Sequence, residues 1–235
     1  EYAKKGNVMK ENTQKAVELF EKAIEVEPSY ARAHAWRACT LSNLADWEES
    51  PDPKIFENAI ESAKLALELD SNEPEVHRIM GALKLWFERD HEMARYHFEK
   101  ARELCPSDVF IISRYAIMLI YFAEFDKALE ELERAKRLDP FSHDLLFGPE
   151  AICHYWLDNP EEALKTFKKV KVKKNYLFYI ALAYKKSGDS DKASENLKEA
   201  YALTGMNNDS FIGSQPFKDQ EFTSKLKSEL GNITG

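Results

Sequence analysis

The chain has 235 residues, 44% of them hydrophobic, and a formal net charge of −8. That length allows a buried core, and the negative balance disfavours general binding to a phosphate backbone, so no nucleic-acid partner is expected. The longest apolar run, Tyr115 to Ala123, has nine residues, well short of the roughly 20 that a bilayer-spanning helix needs, so no membrane insertion is expected.

The opening stretch, EYAKKGNVMK, lacks the apolar core of a secretory signal. It begins with Glu rather than Met, which reads as a fragment whose upstream part has been removed. Cys39, Cys105 and Cys153 stand far apart with no CxxC spacing. An odd, scattered set argues against a disulfide framework or zinc site and suits a reducing, cytoplasmic location.

In chain order, an Ala-x3-large-x2-Ala pattern recurs as Ala16-Phe20-Ala23, Ala59-Ala63-Ala66, Ala94-Phe98-Ala101, Ala128-Leu132-Ala135, Ala163-Phe167-Val170 and Ala193-Leu197-Ala200. The leading alanines are 43, 35, 34, 35 and 30 residues apart. Positions i, i+4 and i+7 share one helical face, where small residues let a neighbouring helix approach. Pro28, Pro106 and Pro140 follow three of these helices, and Asp70-Ser71 takes that place once; proline stops a helix because it lacks an N–H and clashes with the preceding turn. Further helices are predicted at Tyr30 to Leu44, Glu75 to Phe87, Val109 to Phe122, Leu145 to Leu157 and Tyr176 to Tyr184. Each unit therefore reads helix, short turn, helix, short turn.

The departures from period have their own readings. The 43-residue spacing carries extra chain at Asp46-Trp-Glu-Glu-Ser-Pro51-Asp-Pro53, predicted to protrude as a loop. Gly148-Pro149 should kink or delay the first helix of the fifth unit. The sixth unit is short near Lys171 to Lys174. Residues 206 to 217 read as loop. Asp219 to Leu230 reads as an amphipathic helix with Phe222, Leu226 and Leu230 on one stripe, ended by Gly231 and capping the last hairpin near Leu197 and Tyr201.

These units resemble the tetratricopeptide repeat family over residues 1 to about 205, with Tyr184-Lys-Lys-Ser-Gly188-Asp-Ser-Asp-Lys-Ala193 close to the family's inter-helix turn. The leading Trp is missing, and Gly at the first helix's tight contact survives as Gly6 and Gly81. The resemblance implies an all-α, right-handed superhelical solenoid of about six antiparallel hairpins over 1–205, followed by a loop and capping helix over 206–235. EYAKKG, KAVELFEKAIEVEPSYARAHAW and the tail PFKDQEFTSKLKSEL also resemble the region after the catalytic domain of bacterial class III adenylate and guanylate cyclases, or after the DNA-binding domain of winged-helix transcription activators. That implies a regulatory or assembly segment of a larger bacterial signalling protein.

No GxSxG, HExxH, P-loop or GxGxxG occurs, and His34, His77, His91, His97, His143 and His154 show no metal-ligand spacing. No enzyme, metal or cofactor is expected. In the resembled fold the first helix of each hairpin lines a concave groove. The alanine register places Arg32, Trp36, Arg78, Arg114, Ile117, Tyr121, Tyr155, Trp156 and Tyr179 there, where aromatics and Arg concentrate binding energy. The expected partner is a protein or peptide segment with acidic groups; pairing of two copies of the chain is the alternative. As groove-wall residues, Arg78 and Arg114 should be replaceable by Ala with little loss of stability. Packing of the aromatics between repeats remains the competing reading for each. The Lys and Asn of a carboxylate clamp are missing, since Ser113, Ile117 and Gly148-Pro149 occupy its places. Lys165, Lys168, Lys169, Lys171, Lys173 and Lys174 form a basic run that docks an acidic partner or an anionic surface, or is a solvated helix end.

Overall fold

The structure, a computed structural model, describes residues 10–45, 52–141 and 145–233. Among the described residues every regular element is helical. The chain divides into two compact units, Glu1–Pro106 and Ser107–Gly235. The first holds α1 (Lys10–Val26), α2 (Ala31–Ala45), α3 (Pro53–Leu69), α4 (Pro74–Leu83), which runs on as a π-helical turn through Lys84–Glu88, and α5 (His91–Leu104). The second holds α6 (Val109–Tyr121), α7 (Phe125–Leu138), α8 (Phe147–Trp156), α9 (Pro160–Phe167), a 3-10 turn at Lys173–Tyr176, α10 (Leu177–Lys186), α11 (Ser190–Thr204), α12 (Asn208–Ser214) and α13 (Gln220–Gly231).

The hairpins pair α2 with α3 and α4 with α5 in the first unit, and α6 with α7, α8 with α9 and α10 with α11 in the second. Each predicted helix is present within a few residues of its expected ends. Of the predicted first hairpin, only α1 is described. Gly6 and the insertion at 46–51 lie outside the described residues. Four of the helices start where an aspartate accepts an exposed backbone N–H: Asp52 from Lys54 for α3, Asp90 from Met93 for α5, Asp108 from Phe110 and Ile111 for α6, and Asp189 from Lys192 for α11. Helices α1, α5 and α7 stop two residues before Pro28, Pro106 and Pro140.

The alanine register is the interface within each hairpin. Every position of the six patterns is buried except Phe20 and Ala23 in α1. A second register became visible only in the backbone. Arg89, Ala123, Asp158 and Gly188 all have left-handed φ, at 55°, 58°, 63° and 88°. Each stands five residues before the leading alanine of its unit. The next residue's N–H then bonds back to a first-helix carbonyl: Glu124 to Leu119 at 2.9 Å, Asn159 to His154 at 2.9 Å and Asp189 to Tyr184 at 3.0 Å. This five-residue reach is the helix-ending bond that satisfies an orphan carbonyl while the chain reverses. In the third unit the π-turn adds one residue, and Asp90 bonds to Lys84 instead, at 2.9 Å.

Gly148 and Pro149 delay α8 rather than kink it. The helix begins at Phe147, and Pro149 sits in its first turn, where its missing N–H has no intrahelical role. A Cβ on Gly148 would fall inside the Tyr176 ring, which itself packs against Phe167 at 5.9 Å. Gly148→Leu is therefore expected to cost at least about 1–3 kcal/mol, the typical penalty of overpacking, read as a lowered urea midpoint; an unchanged midpoint would show that Tyr176 moves aside freely. The shortness of the sixth unit is taken up by α9, which has 8 residues against 14 in α7.

Two histidines far apart in sequence meet between α4 and α5. His77 Nε2 lies 2.9 Å from the Ser71 carbonyl, so it carries the hydrogen and donates. His77 Nδ1 therefore accepts from His97 Nδ1–H, at 3.0 Å. Both rings are buried. Burial first, then His77 and Lys84, push the His97 imidazole from 6.5 down to about 4 against the opposing pull of Asp90. The unfolded chain binds this proton near pH 6.5 and the folded chain only near pH 4, so stability is full above 6.5 and falls as pH drops between the two values. The loss is expected to reach up to about 3 kcal/mol. Urea midpoints at pH 7.5 and 5 should differ more for the parent chain than for His97→Gln; equal slopes would remove His97 as the cause.

The C-terminal segment departs most from expectation. Residues 206 to 217, predicted as loop, contain α12. Asn207 accepts from the Ser210 N–H and Ser210 Oγ accepts from the Asn207 N–H, each at 2.9 Å, a reciprocal cap that starts the helix. Phe211 stacks on Phe178 of α10 at 4.1 Å, so α12 seats on the last hairpin as well. The predicted stripe of α13 is inward, with Leu226 and Leu230 buried and Phe222 half-buried. Its aromatic and polar contacts go to α7, α8 and α10 rather than to Leu197 and Tyr201. Pro216 and Phe217 turn the chain toward the first helices, where Phe217 is buried.

Candidate functional site

In the second unit the first helices α6, α8 and α10 lie side by side. Tyr121 closes α6, Tyr155 and Trp156 close α8, and Tyr179 stands in the first turn of α10. The structure brings these four predicted groove residues together. It also covers them, which corrects the expectation of an open wall: Tyr155, Trp156 and Tyr179 are buried and Tyr121 is half-buried. The cover is the chain's own segment from Gln215 to Glu229.

That segment is held in three ways. The Lys218 N–H donates to the Tyr121 carbonyl at 2.9 Å, left open at the end of α6. The hydroxyls of Tyr121 and Tyr179 both donate to Gln215 Oε1, at 3.2 and 3.3 Å. Phe217 meets Tyr121 and Trp156 edge-on at 5.2 and 5.3 Å, and Phe222 meets Trp156 and Phe125 at 5.1 and 5.5 Å. Edge-to-face pairs of this kind add about 0.5–1.5 kcal/mol each beyond the area they bury.

Charge completes the site. The Tyr155 hydroxyl donates to Glu229 Oε2. Lys186 Nζ stands 4.4 Å from the Tyr155 ring centre, donates to the Tyr155 carbonyl at 3.2 Å, and pairs with Asp158 at 3.1 Å and with Glu229 at 3.9 Å. Lys225 lies 5.7 Å above Trp156 and Lys218 5.3 Å above Phe122. Burial, then the Glu229 carboxylate, hold the Tyr155 phenol far above its ordinary range, and burial does the same for Tyr179. Both hydroxyls are therefore neutral donors. Arg114 and Ile117 are half-exposed on α6, with the Arg114 guanidinium 4.8 Å from the Phe110 ring centre.

The first unit treats its candidates differently. Arg32 is exposed and pairs with Glu73 at 2.9 Å. Trp36 is buried and stacks on Phe20 at 6.3 Å. Arg78 is 3% exposed, donates to Glu75 at 2.5 Å and covers the Trp36 ring at 4.9 Å. Arg78 is a packed core residue, not a groove-wall arginine replaceable by Ala. Its guanidinium lies over the Trp36 ring and finds its charge partner, Glu75, within the packed interior rather than on an open wall. Gln215, Phe217, Lys186 and Glu229 were missed, and Phe222 was placed on the inward stripe of a cap rather than against Trp156. The only available signal was Phe217 and Phe222 flanking a predicted helix start.

Among the described residues no group of three or more His, Cys, Asp or Glu is placed to hold a metal, and no helix is long and apolar enough to cross a membrane. The three cysteines are free thiols; Cys153 is buried, which pushes its thiol up, while Cys39 and Cys105 are half-buried. Lys165 of the basic run pairs with Glu162 at 3.1 Å, and Lys169 lies 5.1 Å from the Phe147 ring centre.

Residues 175–205 match the tetratricopeptide repeat family. The match covers α10, α11 and the turn at Gly188. No curated protein matches the chain in sequence. Among solved structures, the human IFIT1 dimer with PPP-AAAA is similar at a TM-score of 0.66 and 18% identity, over 96% of this chain and 54% of that one. PilF of Pseudomonas aeruginosa is similar at a TM-score of 0.53 and 14% identity, over 94% of this chain and 91% of that one. At these identities the likeness is one of fold: an all-α helical-repeat architecture.

Proposed function

We propose that the chain is a non-catalytic protein–protein interaction scaffold that takes a protein segment on its first-helix faces and serves as a regulatory or assembly part of a larger signalling protein. The observation that carries this reading is the occupied face of the second unit. A segment of polypeptide already lies across α6, α8 and α10 there, held by a backbone bond, two phenylalanine anchors and a lysine–carboxylate pair. Backbone bonds give such contacts affinity and side-chain pockets give them selectivity. The free thiols suit a cytoplasmic setting.

Arg32, exposed though paired with Glu73, and the half-exposed Arg114 each add positive charge beside the first helices of their own unit, suited to acidic groups of a partner. Selection from a random peptide library against the full chain tests the reading. The expected result is an enriched motif whose affinity falls about tenfold or more when Arg32 or Arg114 becomes Ala, a typical hot-spot effect, with the helical circular dichroism signal unchanged. No enrichment, or a motif indifferent to both substitutions, would refute it.

A further inference from the structure

Resting on that reading, we propose that the face formed by Tyr121, Tyr155, Trp156 and Tyr179 docks a partner segment built like the chain's own tail, and that the tail keeps this face closed until such a segment displaces it. The specification is written in the contacts. The occupant presents an aromatic residue, a second aromatic five residues on, as Phe217 and Phe222 do, and a carboxylate seven residues after that, as Glu229 does. The stretch through the second aromatic and the carboxylate is an amphipathic helix, as in α13.

Three features support displacement rather than permanent packing. The tail makes a polar contract with the face that any polypeptide of the same pattern reproduces: a backbone N–H to the Tyr121 carbonyl and a carboxylate to Tyr155 and Lys186. The Tyr155 and Tyr179 phenols are neutral and buried, so each has a hydrogen to place and meets it with an acceptor, Glu229 or Gln215. The outer side of α13 is exposed at Glu221, Ser224, Lys227 and Ser228, so the helix is buried along one side only.

The occupant is a different protein rather than a second copy. A tethered segment competes at an effective concentration of about a millimolar. A second copy offers an identical tail and pays for association besides, so it does not win against the tail in cis. A heterologous segment with the same anchors and a better fit does.

The test uses the full chain and a synthetic peptide of residues 212–233 as probe. The parent chain, Phe217→Ala/Phe222→Ala and the milder Glu229→Ala are titrated with the labelled peptide by fluorescence anisotropy, with circular dichroism and light scattering on each. Weakening the tail in cis should raise affinity for the peptide by about tenfold or more in the double variant and by less in Glu229→Ala, because the open fraction rises. Adding Tyr155→Phe to the double variant should lower it again. Folded variants that bind no better than a parent chain that itself binds would overturn the closure while leaving the face as a docking site. If neither folded variant binds the peptide, the docking site and the reading it rests on both fall. If the double variant alone loses its helical signal, Glu229→Ala decides by the same criteria. A stable dimer of the parent chain at micromolar concentration would assign the face to a second copy and overturn the heterologous partner.

Discussion

Trp156→Ala is expected to cost about 3–5 kcal/mol, the range for removing a buried large aromatic side chain. The indole is the hub of the second unit's site. It stacks on Phe125 at 5.8 Å and meets Tyr155, Phe217 and Phe222 at 5.1, 5.3 and 5.1 Å. Its removal takes one partner from each of the two phenylalanines that seat the tail. Urea unfolding should show the loss, and native hydrogen exchange should show where it falls first, in α12 and α13. The double variant Trp156→Ala/Phe222→Ala should lose less than the sum of the single losses, since the rings are in contact. A loss below about 1.5 kcal/mol, or strict additivity, would mean that the ring contacts contribute little beyond filling space.

Arg78→Ala is expected to be similarly severe, at about 3–5 kcal/mol, because it leaves the carboxylate of Glu75 with its charge partner gone. The Glu75 side chain is 12% exposed and the Arg78 side chain 3%. The guanidinium also covers Trp36, so the substitution opens space as well as removing charge. Replacing both charges together, as Arg78→Met/Glu75→Leu, should restore most of the stability, since a buried ion pair is often no better than an apolar pair of similar volume. Failure of the double variant to recover would locate the effect in the cation above Trp36 rather than in the stranded carboxylate.

Much of the fold was readable because the repeat is written in residue volume. An alanine at Ala94, Ala128 or Ala163 reports a helix contact directly, and Pro106 and Pro140 report where a helix stops. The turns were less readable. Arg89, Ala123 and Asp158 hold the same left-handed backbone as Gly188, and only glycine announces that conformation in sequence. The face of the site was readable and its occupancy was not. Tyr121, Tyr155, Trp156 and Tyr179 follow from helical register, whereas their burial depends on a segment 36 or more residues further on, whose path no local pattern fixes. The pair His77 and His97 escaped for the same reason, as did the cap made by Asn207 with Ser210, a serine standing where a glutamate or glutamine is usual.

The tail seated on α6, α8 and α10 also binds two stretches of the chain into a shared inheritance. A change at Glu229 is felt by Tyr155 and Lys186, and a change at Phe222 by Trp156 and Phe125. Descendants of this sequence should therefore vary these positions in step. A lineage that sheds its last thirty or so residues should drift at Tyr155 and Trp156 toward the polar side chains an uncovered surface tolerates.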